Sequence, residues 1–186
     1  MSETRLTLLI TIAATLLSGA FSAFTLEPIG EVIETLDLGD LPGLLVPFAL
    51  SAGLAFGLCG GAVALWRMRV RPLAGAAFLV MSMLGIAAAV YVAALSYNNA
   101  EASFLWPYAA GSPVGALILA VPFAFFGPFA QPWGTIGLAT ALPTLWAMGV
   151  GFTFSGDAAL EVPGLATLYV GWQLIFLSVF ALSRRV

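Results

Sequence analysis

The stretch GLAFGLCGGAVALWRMRVRP, Gly53 to Pro72, joins two unlike patterns. Gly53, Gly57 and Gly61 recur every four residues in an apolar run, and Arg67, Arg69 and Arg71 then follow within five residues. The chain has only six basic residues, all of them Arg, so half of its cations stand in this one short segment. An apolar run of about 20 residues that ends in clustered cations reads as a membrane helix arriving at the cytoplasmic surface, where Arg and Lys are retained. Trp66 then falls at the headgroup level, and Pro72 opens the next helix at a position where a missing N–H leaves nothing unpaired.

The rest of the chain fits the same solvent. Hydrophobic residues are 61% of the 186 and charged residues 8%, and the mean hydropathy is +1.06. A chain this poor in charge has too little polar surface to cover itself in water, so the composition suits lipid. Six apolar spans are expected, near Leu6–Thr25, Pro42–Trp66, Pro72–Tyr97, Tyr108–Gly127, Trp133–Phe154 and Pro163–Leu182. The expected fold is therefore all-α, a polytopic bundle of six transmembrane helices forming one integral membrane domain over residues 1–186.

The charges sort by side. Arg5, the Arg67–Arg71 group, Arg184 and Arg185 fall on one face, with Glu3 beside them. Glu27, Glu31, Glu34, Asp37, Asp40, Glu101, Asp157 and Glu161 fall on the other. Both termini are thus expected in the cytoplasm, in a cell (inner or plasma) membrane. A small-residue site, Ser18-Gly19-Ala20, resembles a signal cleavage site, but the apolar run continues to Phe24 and a retained helix is expected. Between the first two spans, Ile29, Val32, Ile33 and Leu36 share one helical face while Glu27, Glu31 and Glu34 share another. That pattern predicts a short amphipathic external helix lying at the interface.

Several chemistries are excluded by composition. With no His, no Lys and one Cys (Cys59), the chain has no Ser-His-Asp triad, bis-His haem site, intrachain disulfide or Schiff-base lysine. No ionisable residue falls clearly inside a span, which disfavours a proton relay or a charge-paired ion carrier. An enzyme is not expected, nor a cofactor, nor a metal. A net charge of −3 with scattered Arg disfavours a nucleic-acid partner.

Three intramembrane patterns remain. Ala49, Gly53, Gly57 and Gly61 make a flat stripe on span two, suited to close approach by another helix. Packing within the chain is the expectation, with a homo-oligomer or partner subunit through Gly53, Gly57 and Gly61 as the alternative. Thr4, Thr7, Thr11, Thr15, Ser18, Ser22 and Thr25 form one narrow hydroxyl face on span one. Bonding to its own helix plus packing is expected there, with a wet path as the alternative. Finally, Gln173, Trp172 and Tyr169 on span six lie at a depth similar to Trp146 and Thr144 on span five. A deep carboxamide with indole neighbours suits a small ligand through stacking and hydrogen bonding. An ordinary interhelical hydrogen bond is the plainer explanation.

Two functions follow as expectations. One is binding or transport of a small neutral or lipophilic solute at Gln173, Trp172, Trp146, Thr144 and Tyr169, helped by a Pro-broken fourth span and the hydroxyl face of span one. The other is a non-catalytic subunit or assembly partner of a larger membrane complex.

Overall fold

The computed structural model describes residues 3–67, 70–97, 105–127, 129, 131–154, 158 and 160–183. Of the charges sorted above, Arg69, Glu101, Asp157, Arg184 and Arg185 lie outside the described residues, as does the side chain of Thr4. The chain folds into α1 (Glu3–Glu34), α2 (Asp40–Phe48), a π-helical turn (Ala49–Gly53), α3 (Leu54–Trp66), α4 (Pro72–Tyr97), α5 (Leu105–Phe126), α6 (Pro132–Thr153) and α7 (Val162–Ser183). The α2, π and α3 segments run on as one span, so six helices are long and apolar enough to cross a membrane.

The six spans close into a ring in chain order. α1 packs on α3 and on α7, and between them α3 meets α4, α4 meets α5, α5 meets α6 and α6 meets α7. Short connections make successive spans antiparallel, so α1 and α7, the first and last, also run antiparallel where they meet.

Small residues set the closeness of these contacts, because lipid supplies no hydrophobic force between helices. A Cβ added at Gly53 would stand 2.7 Å from the Met83 Cα, and one at Gly57 would stand 2.9 Å from the Leu79 Cα. The glycine face of span two is therefore occupied by α4 of the same chain. A second seam joins α4 to α5, where a Cβ on Gly85 would lie 3.0 Å from the Gly115 carbonyl oxygen, and the converse also holds. Gly19 of α1 sits against the backbone of Val170, which closes the ring.

The interior is filled by aromatic rings. Trp172 and Phe176 stack at 5.3 Å with planes 7° apart, and Phe180 continues this column at 5.0 Å from Phe176. Phe56 of α3 meets Trp172 and Phe176 edge-on, each at 6.0 Å, and Phe123 of α5 lies 4.7 Å from Phe180. Phe129, between α5 and α6, lies 5.0 Å from Phe180. The other end of the ring is filled by a smaller cluster of Ala23, Ala52, Ile86, Leu165 and Tyr169.

The segment between the first two spans departs from expectation. No separate external helix stands there; residues 26–34 are the last turns of α1, which runs through Pro28. At about 1.5 Å per residue this 32-residue helix exceeds the roughly 30 Å of hydrocarbon. Its end carries the exposed Glu27, Glu31 and Glu34, while Ile33 is buried and Val32 and Leu36 are exposed. Packing against α2 keeps the helix going, and it outweighs the single bond lost at Pro28. The turn into α2 then uses positive φ at Asp37 (47°) and Gly39 (82°).

Candidate functional site

The hydroxyl face of α1 is buried. Thr7, Thr11, Thr15, Ser18 and Ser22 are all at most 7% exposed. Most of them donate to their own helix: Thr7 to the Glu3 carbonyl at 2.9 Å, Thr11 to Thr7 at 2.9 Å, Thr15 to Thr11 at 3.0 Å and Ser22 to Ser18 at 2.6 Å. Such back-bonding lets a hydroxyl sit in an apolar interior without a partner helix supplying an acceptor. Ser18 is different, because its Oγ is buried with no hydrogen-bond partner among the described residues.

Contacts on either flank orient this face. At one end Arg67 Nε and Nη2 donate to Thr7 Oγ1 at 3.3 and 3.2 Å, and Nη2 also reaches the Glu3 carbonyl at 3.3 Å. That ties the α3–α4 hairpin to the first turn of α1. On the other flank Gly19 rests on Val170 of α7. With α3 on one side and α7 on the other, the hydroxyls face the inside of the ring.

Gln173 lies three residues beyond Val170 on α7, about 60° around the helix from the contact with Gly19. It is 1% exposed, and neither its Nε2 nor its Oε1 has a hydrogen-bond partner among the described residues. Counting from the Gly19–Val170 contact at about 1.5 Å per residue, Gln173 stands between the depths of Thr15 and Ser18, within about 3 Å of each along the axis. A buried carboxamide without partners costs on the order of 1–3 kcal/mol per unsatisfied group, so this residue is a liability unless something else meets it.

The remaining expected residues fall elsewhere. Trp172 points away from Gln173, one residue and about 100° around the helix, and its Nε1 donates to Ser112 Oγ of α5 at 2.7 Å. Thr144 of α6 lies 3.3 Å from the same Ser112 hydroxyl and donates to the Thr140 carbonyl at 2.7 Å. Trp172, Thr144 and Ser112 therefore form a node joining α5, α6 and α7. Trp146 is 39% exposed on the outside of the ring. Its indole lies over Gly171 and donates to the Thr167 carbonyl at 3.0 Å. Tyr169 is buried in the smaller cluster with Ala23 and Ala52. The five expected residues thus share a depth but divide among an inner amide, a hydroxyl node, an outer indole and an apolar cluster.

Sequence reasoning missed Ser112 and the aromatic column. The column had a visible signal, because Trp172, Phe176 and Phe180 recur every four residues. Ser112 had none, because its role depends on which helices become neighbours. A crevice of about 10 Å³ between α4 and α5 is lined by Phe78, Met81, Leu119 and Phe123, and Gln173 does not line it. That is room for one water at most.

Compared with protein-family models, with curated proteins and with solved structures, the chain gives no match to any of them.

Proposed function

We propose that this multi-pass membrane protein binds or passes a small neutral or lipophilic solute between α1 and α7, at Gln173. The observation that carries this reading is the Gln173 amide, which is buried at the ring interior with both polar atoms unpartnered. A fold tolerates such a group where a ligand supplies the missing bonds. Among the described residues, the interior around it carries hydroxyls and aromatic rings but no formal charge, which suits an uncharged occupant. The interior is closely packed, so entry requires α1 and α7 to part at Gly19 and Val170. In this reading the protein is not an enzyme, it lies in the cell membrane, and both termini face the cytoplasm. Mass spectrometry of gently extracted protein tests the proposal: a small neutral compound should leave with the wild type and be absent from Gln173→Leu. An unchanged ligand complement in that variant contradicts it.

A second reading, as an assembly subunit, has one observation in its favour. Gly134, Gly137 and Ala141 share the outward face of α6 and are exposed, and a Cβ added at Gly137 would meet nothing within 4 Å. Native mass spectrometry that finds a stoichiometric partner subunit, lost on Gly137→Leu, would favour this reading over solute binding.

A further inference from the structure

Resting on the solute-binding reading above, we propose that the site takes a small planar solute with a hydrogen-bond donor and an acceptor on one group, a primary amide or a urea. Gln173 offers a carbonyl oxygen and an amide nitrogen side by side, and both are buried and unpartnered. A carboxamide meets another amide or urea through two parallel N–H···O bonds, whereas a ketone or an ether meets it through one. The Ser18 hydroxyl, also buried and unpartnered, stands within about 3 Å of Gln173 in depth and supplies a third point. Thr15 has no proton left to donate, because its hydroxyl already lies 3.0 Å from both the Thr11 and Ile12 carbonyls, whereas Ser18 can donate as well as accept.

Charge sets the other limit. Among the described residues, the Asp, Glu and Arg side chains sit at the ends of the spans, so a charged solute would lie uncompensated in a medium where that is costly. Size is limited too, because Val170 covers Gly19 and Trp172 and Phe176 fill the neighbouring interior, so a solute enters only as α1 and α7 part. An occupant of a few heavy atoms asks for the least opening.

The chain has two glutamines, Gln131 and Gln173, which makes the test direct. Protein labelled with 15N in the glutamine carboxamide and placed in lipid nanodiscs gives two side-chain NH2 pairs. Gln173→Leu assigns them by deletion, and Gln131→Ala, at the exposed start of α6, assigns them if that variant does not fold. Acetamide should shift the Gln173 pair saturably and leave Gln131 unmoved. Acetone, similar in shape but without the N–H, should bind at least tenfold more weakly, and Ser18→Ala should weaken acetamide about three- to tenfold. Equal response to acetone and acetamide overturns the amide assignment. If toluene saturably shifts Gln173 and acetamide does not, the amide class fails and solute binding at Gln173 stands. If none of the three moves Gln173, both fail.

Discussion

Trp172 of α7 and Ser112 of α5 are joined by a 2.7 Å indole-to-hydroxyl hydrogen bond that is wholly buried. It ties the aromatic column to the α5–α6 side of the ring, since Thr144 approaches the same hydroxyl. Ser112→Ala removes the acceptor and strands the indole N–H in an apolar interior. The variant should lose about 1–3 kcal/mol of stability, read from unfolding in detergent mixtures, with a shifted tryptophan emission. Unchanged unfolding would mean that Trp172 finds another acceptor.

Gln173 sets up the opposite sign. Leu is similar in bulk and has no polar atoms, so Gln173→Leu should raise the stability of the ligand-free protein by roughly 1–3 kcal/mol. The same change should abolish solute binding. A variant that is less stable than the wild type would show that the amide is satisfied in the protein and is no binding group.

The glycines divide into two classes. Gly19→Ala and Gly53→Ala drive a methyl into the backbones of Val170 and Met83, so each should destabilise by about 1–3 kcal/mol. At Gly149, an added Cβ meets nothing within 4 Å. There the substitution removes only the entropic penalty of glycine, and Gly149→Ala should stabilise by up to about 1 kcal/mol. Thermal unfolding of the three variants in one detergent separates the classes, and a uniform response would refute the ring geometry.

Trp146 depends on Gly171 in the same way but has somewhere to go. A methyl at Gly171 would overlap the indole, and Trp146 is part exposed on the outer face, so the ring can swing outward. Gly171→Ala should therefore break the bond to the Thr167 carbonyl and make Trp146 more accessible to a lipid-phase quencher. The cost in stability should be small, about 1 kcal/mol.

The spans were legible because lipid demands a continuous apolar run of fixed length, and that demand is written in one dimension. Pro72–Tyr97 is the same in sequence and structure, and the second span begins at Asp40 where Pro42 was expected. The hydroxyl face of α1 was legible too, since hydroxyls three and four residues apart can bond back to their own helix whatever surrounds them. Azimuth was not legible. Gln173 and Trp172 share a depth but point to different neighbours, and only ring order decides that Trp172 finds Ser112 while Gln173 finds no partner. The π turn at Ala49–Gly53 was also hidden. Its Gly53 carbonyl accepts a bond from Ser82 Oγ at 2.7 Å, a partner 29 residues away in the chain. The reach of α1 past Pro28 depends on packing against α2, which an amphipathic pattern cannot report.

The most direct test of the proposed topology, in which the arginine hairpin lies on the cytoplasmic side, is cysteine labelling in intact cells. With Cys59→Ala removing the native thiol, single cysteines at Leu38 and Arg71 should behave oppositely towards a membrane-impermeant maleimide. Leu38→Cys should label at once, and Arg71→Cys only after the membrane is opened. Labelling of both positions from outside, or of Arg71→Cys alone, would contradict the account.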